Sequence, residues 1–414
     1  MLRSATKLLL LRLVSCLPSW VTIPVIARHL GETFGEFGAW LGAVTIIGLV
    51  AFGSATSAST PYFTLGRQRD DFVALQQTVS RRSWLLAPLA VFLDILAAKC
   101  GSLYIGLTTA LITASASSLY QIELETARLF RGTSGYGNVL LRRTSLCLVV
   151  SIVFPTIVAV DSLESSSVYF ALVQLSGVHF SIKRSRAFPR IRRTERHDGY
   201  RVGSVWAKSL AVENALGSGN RLVAAACLGP AGSAAYSLSA ELSQRYIAVG
   251  WQTVTMPLNQ TTVSKLRTGT ASAPAPHIAL ALTLCPVFTA LTLYFLAGTV
   301  IGLIYGTPAP SLPGWAWCLG AMSGGITLNR LRKSLLDPYI VRANRNVMFV
   351  MVVQFLIITA CGWAIAWLAP SIGLMAISAA FVLGNVVSTL IAWRAASNGV
   401  EPTVPAGYNG IGVV

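Results

Sequence analysis

Apolar runs close to the length of a bilayer crossing recur from end to end of the chain, separated by short polar stretches. They predict spanning helices over about Leu8–Ala27, Phe37–Ala58, Trp84–Ala98, Leu103–Gln121, Thr144–Val160, Val168–Ile182, Val205–Leu228, Ala234–Pro257, His277–Ile304, Gly314–Leu328, Val347–Leu368 and Ile372–Trp393. A helix needs about 20 apolar residues to cross the hydrocarbon core, whereas the strands of a barrel would alternate in shorter segments. The expected fold is therefore an all-α polytopic membrane protein of about twelve helices. The first run, behind Arg3 and Lys7, resembles a signal peptide but continues to spanning length without a convincing cleavage site, so it is read as a retained helix.

The pattern also repeats. Pro24–Phe37 and Asn220–Tyr236 each run apolar, then Leu-Gly, then a turn of small residues, then an aromatic that opens the next helix. A shift of 198 residues lays Leu30-Gly31 on Leu228-Gly229, and one residue of slack lays Phe37 on Tyr236. Pro18 and Pro24 in the first copy, and Gly217 and Gly219 in the second, are expected to break the helix at matching places. Paired breaks of this kind point to the cargo site of a membrane carrier. The chain then divides into a first lobe at 1–182, a basic linker at 183–204, a second lobe at 205–396 and a tail at 397–414.

Composition and charge agree with this division. Hydrophobic residues make up 54% of the chain and charged ones 11%, too apolar for a soluble domain. The net charge of +17 sits in clusters between apolar runs, which speaks for membrane orientation and not for nucleic acid. Threading the helices alternately puts nearly all of the 32 basic residues on one side, with both termini, and leaves Arg28 and Lys99 outside and Arg12, Arg221 and Arg245 within spans. Positive loops stay cytoplasmic, so both ends are expected there. The linker Lys183–Arg201 is the most basic loop and suits contact with anionic lipid headgroups. The seven cysteines show no C-x-x-C spacing, so neither a metal, a disulfide nor a cofactor is implied.

The stretches PVIARHLGETFGEFGAW (Pro24–Trp40) and NRLVAAACLGPAGSAAYSLSAELSQRY (Asn220–Tyr246), with the twelve spans and two similar halves, resemble the polysaccharide flippases of the multidrug/oligosaccharidyl-lipid/polysaccharide exporter superfamily. Glu32 stands where that family has Pro, and Ala234 where its second copy usually has Gly. The resemblance implies two six-helix lobes around a central cavity that flip an undecaprenyl-diphosphate-linked oligosaccharide across the bacterial inner membrane by alternating access. Its implied partners are the lipid-linked oligosaccharide, membrane lipids, a polysaccharide polymerase and glycosyltransferases. Drug/cation antiporters belong to the same superfamily and form the alternative. A membrane-embedded glycan polymerase or ligase is a further alternative, but the outer loop Tyr305–Pro313 carries no charge for sugar transfer. No catalytic residue is expected, and no G-x-x-x-x-G-K-[ST] loop is present to hold ATP.

A charge at bilayer depth costs about 3 kcal/mol or more when unpaired, so the intramembrane charges are the candidate site. Arg221 is the first candidate for a pyrophosphate contact and Arg12 the second, although Arg12 sits about one turn into its helix and can instead snorkel to the interface. Asn214 and Asn220 lie beside Glu213 and Arg221. Glu241 and Arg245, four apart on one helix face, form a candidate ion pair that acts as coupling site or structural clamp. Glu213 is a candidate for proton or cation coupling, and Asp94 lies within a short span near the outer interface.

Overall fold

The computed structural model describes residues 10–11, 13–58, 69–99, 106–178, 216–247, 250–251, 274–306, 311–336, 339 and 345–398, and all the regular structure among them is helical. The principal helices are α1 (Leu17–Leu30), α2 (Phe34–Ile47), α3 (Arg69–Lys99), α4 (Leu107–Ile157), α5 (Leu163–Ser176), α6 (residues 216–227), α7 (Gly229–Leu242), α8 (Pro276–Tyr305), α9 (Trp315–Leu335), α10 (Arg345–Leu368) and α11 (Pro370–Ser397). The basic linker, Arg12, Glu213 and Asn214 lie outside the described residues.

Helix α4 is 51 residues long in its backbone pattern but is not one straight rod. At 1.5 Å per residue, a straight helix would hold Glu123 and Arg142 about 28 Å apart. Arg142 Nη2 instead lies 2.6 Å from Glu123 Oε1, and the Arg143 guanidinium sits 3.5 Å over the Tyr120 ring. The helix therefore folds back between these residues, and its later part, Ser134–Ile157, is long and apolar enough to cross a membrane. The two parts overlap the two separate spans expected from hydropathy.

Two spans begin earlier than expected. Helix α3 starts at Arg69, so Arg81 and Arg82 belong to the helix and not to a cytoplasmic loop. Its first half is amphipathic: Phe72, Leu75 and Val79 recur at helical spacing and are buried, while polar positions between them lower the hydropathy that a window would detect. Helix α5 starts at Leu163, where Ser162 and Ser165 form a reciprocal cap on its first turn.

The expected helix breaks are corrected. Pro18 stands in the first turn of α1, where a missing N–H has no partner to lose, and α1 runs on through Pro24 to Leu30. The interruption in this copy falls earlier, at Cys16, whose carbonyl accepts from Trp20 N–H. Gly217 and Gly219 lie within helical residues 216–227. What the two copies do share is the Leu-Gly turn. Gly31 has φ 55° and Gly229 φ 68°, both in the left-handed region that favours glycine.

The aromatics that follow these turns are both fully buried, each in a different core. Phe37 stacks on Trp40 at 5.4 Å, and Phe170 meets both rings edge-on. Tyr236 packs in a second cluster with Met322, Phe355 and Phe381. By contrast α8 turns Leu280, Leu284, Val287, Phe288, Leu291 and Phe295 outward, an apolar surface suited to lipid.

Candidate functional site

The two halves of the chain meet along α2 and α7, and the sequence of α2 explains how closely. Gly35, Gly38 and Gly42 form a stripe of small residues on one face. A Cβ on Gly35 would collide with the Ser233 hydroxyl and one on Gly38 with the Ser237 hydroxyl, while one on Gly42 would come within 2.9 Å of the Ser218 carbonyl oxygen. Glycine is required here because the backbones approach too closely for any side chain.

One end of this seam, where the Leu-Gly turns lie, carries a second tie. Arg28, at the end of α1, donates from Nη2 to Leu303 O at 3.0 Å and from Nε to Ile304 O. It thereby satisfies carbonyls in the last turn of α8 that have no helical partner. The apolar cluster at the interface draws on both halves, with Phe34, Phe37 and Leu41 facing Ala234, Leu238 and Leu242.

Further along the seam lies a charged cluster built on Glu241. Arg221 Nη1 approaches Glu241 Oε1 at 2.5 Å, and Arg245 Nε donates to Glu241 Oε2. Arg221 is 2% exposed and gives its Nη2 to Gln244 Oε1 at 2.9 Å. Arg245 reaches across the halves: its Nη1 donates to Ser19 Oγ at 3.3 Å and its guanidinium lies 4.9 Å from the centre of the Phe170 ring. Each oxygen of one buried carboxylate is thus bound by a different arginine, an arrangement that compensates the cost of burying the charges.

This geometry sorts the candidate residues. Glu241 and Arg245 do form the pair that their spacing suggests. Arg221 lies buried with Nη1 on Glu241 and Nη2 on Gln244, while its Nε meets no hydrogen-bond partner among the described residues. Asn220 is 1% exposed and accepts from Trp363 Nε1 at 2.6 Å through Oδ1. Gly219 makes that contact possible, since a Cβ there would press within 3.1 Å of the Trp363 ring. Asp94 joins no charge cluster among the described residues. Its two carboxylate oxygens accept from Leu107 N–H and Thr108 N–H, each at 2.8 Å, and cap the start of α4 after Gly106, whose φ is 60°.

Three residues of the cluster escaped the sequence reading. Gln244, Ser19 and Phe170 are ordinary polar or aromatic residues on separate segments and carry no motif. The glycine stripe of α2 did leave a signal, since small residues at intervals of three and four on an apolar helix mark close helix packing. Among the described residues, no group of three His, Cys, Asp or Glu side chains is arranged to hold a metal ion.

No protein-family model matches the chain, and no curated protein matches it in sequence. Solved structures do match in fold. A point mutant of the Vibrio cholerae MATE transporter VcmN superposes with a TM-score of 0.57 at 16% identity over 95% of each chain. A multidrug resistance MATE family transporter of the MOP superfamily, in its outward-facing conformation, gives 0.55 at 14% over 94% of each. A MATE structure in the bent conformation gives 0.55 at 12%, covering 95% of this chain and 93% of that one. At such identities the likeness establishes the fold: an all-α, multi-pass membrane protein with the two-lobe, twelve-helix architecture of these transporters.

The same comparisons correct the expectation of polysaccharide and lipopolysaccharide biosynthesis. The structures named above are MATE transporters, one of them a multidrug resistance transporter. The lipid-linked oligosaccharide cargo and the polymerase and glycosyltransferase partners are withdrawn with it.

Proposed function

We propose that this chain is a carrier of the bacterial inner membrane, not an enzyme, and that it exports small organic solutes in exchange for a cation by alternating access. The observation that supports this most is the likeness to MATE transporters, one of them a multidrug resistance transporter, along almost the whole of both chains, so that both halves and the seam between them are included. The seam combines glycine against serine hydroxyl with an apolar cluster drawn from both halves, and Arg245 reaches across it to Ser19. The clustering of basic residues on one side of the threaded helices supports cytoplasmic termini.

Glu241, with an arginine on each oxygen, serves this carrier as a structural clamp. A coupling carboxylate free to exchange a proton or sodium ion lies elsewhere, and Glu213, shortly before α6 in the sequence, is the residue we assign. The test is transport in proteoliposomes loaded with the cationic dye ethidium. Dye movement driven by an imposed proton or sodium gradient, and lost in Glu213→Gln, is the expected result. Absence of gradient-driven movement of ethidium and of a panel of other organic cations would overturn the reading.

A further inference from the structure

Both seam helices end in the same irregularity. Helix α2 runs for 14 residues and passes into a π turn at Gly48–Phe52, and α7 runs for 14 residues and passes into a π turn at Ser243–Ile247. Counted from the Leu-Gly turns the second comes three residues sooner, because the first copy spends Gly31–Thr33 in a 3₁₀ turn. Two π turns of five residues at the ends of two repeat-related helices of equal length are a shared device of the halves. A π turn carries an extra residue that loosens the hydrogen-bond ladder, and such turns are where helices bend.

The glycines around these turns are of a different kind from those of the seam. A Cβ on Gly53 would meet nothing within 4 Å, one on Gly48 would find only an ordinary contact with Ala114 Cβ at 3.7 Å, and one on Gly250 would again meet nothing. None has a positive φ. Neither crowding nor backbone conformation calls for glycine at these positions, and its remaining effect in a helix is to weaken it. Val50, in the middle of the first turn, is 81% exposed and anchors nothing, whereas Phe52 at its end is fully buried.

Each turn is also held by polar contacts from its own half. Arg82 of α3 donates through Nη1 to Ala51 O at 2.7 Å and to Ser54 Oγ at 3.0 Å. Ser243 and Ser323 of α9 share a hydrogen bond of 2.8 Å between their hydroxyls. Arg245 lies within the second turn and is the residue that touches the opposite half at Ser19 and Phe170.

We propose that the π turns at Gly48–Phe52 and Ser243–Ile247 are paired hinges at which the seam helices bend as the two halves part, with Arg82 and Ser323 as their catches. This deepens the transport reading and rests on it. Bending at both hinges swings the segments beyond them while the Gly35, Gly38 and Ser237 contacts hold, so one face of the molecule opens with the other still shut.

The test is hydrogen exchange with mass spectrometry on the full chain in nanodiscs, combined with the ethidium assay. Amides of residues 48–52 and 243–247 are expected to exchange at least about tenfold faster than those of residues 37–42 and 234–239. Gly48→Ala/Gly53→Ala, which the packing accommodates, is expected to slow exchange in the first turn by about tenfold and to lower the dye transport rate by a similar factor. Arg82→Gln is expected to speed exchange there. If the turns exchange no faster than their flanks, or if the double alanine variant transports at the unaltered rate, the hinge assignment is overturned and the carrier reading stands. If the exchange pattern and its response to both variants are as expected but no organic cation moves, the hinges are supported and the cargo assignment fails.

Discussion

Gly38 and Ser237 lie on one another when the two copies of the repeat are aligned, and in the structure the same two residues touch, so closely that a Cβ on Gly38 would overlap the serine hydroxyl. Gly35 aligns with Ala234 in the same register, and a Cβ on it would come within 3.0 Å of the Ala234 backbone nitrogen. Repeat-related residues meet each other only where a twofold axis runs between their helices, so α2 and α7 mark the axis that relates the halves.

The seam has no room for a side chain. Gly38→Leu is expected to force α2 and α7 apart and to lower stability by about 1–3 kcal/mol, the cost of methylenes inserted into a packed contact, whereas Gly53→Ala, where a Cβ would meet nothing within 4 Å, should not lower it. Thermal unfolding in detergent compares the two, and an unchanged midpoint for Gly38→Leu would show that the helices are not pressed together.

Glu241 neutralises a buried arginine, so its loss should cost more than its own contacts. Glu241→Gln leaves Arg221, 2% exposed, without a counter-charge, and is expected to destabilise the protein by about 3–5 kcal/mol. Arg245→Gln, at a side chain 24% exposed, should cost about 1 kcal/mol. Thermal unfolding in detergent ranks the two, and equal effects would rule out the buried clamp.

Asp94 is expected to act on the start of α4 alone. Asp94→Ala removes the acceptor of two backbone N–H groups and should lower stability by about 0.5–2 kcal/mol. Asp94→Asn, which keeps one acceptor oxygen, should cost less, and both variants should leave ethidium transport within about twofold per copy of folded protein. A large loss of transport with unaltered stability would instead place Asp94 in the path of the cargo.

Asn220 and Trp363 tie α6 to α10. Trp363→Phe leaves the Asn220 Oδ1 without its donor in a site 1% exposed and is expected to cost about 1–3 kcal/mol. Asn220→Leu combined with Trp363→Phe removes both polar partners and should recover part of that loss. The thermal midpoints of the two variants and their combination form the cycle that checks it.

Much of this molecule is written locally in its chain. The long apolar runs, the basic loops between them and the two Leu-Gly turns are properties of neighbouring residues, and they specify an all-helical membrane protein with related halves wherever the helices come to rest. The positive φ of Gly31 and Gly229 follows from the same local pattern, because only glycine ends a helix there without strain. Partner choice is of another kind. The pairing of Arg221 with Glu241 joins α6 to α7 across a turn, Arg142 finds Glu123 only because α4 folds back, and Asp94 caps a helix that begins 13 residues later. A charge in an apolar run announces that it needs compensation, but which of several groups supplies it depends on how the helices pack, and that was decided by the tertiary structure.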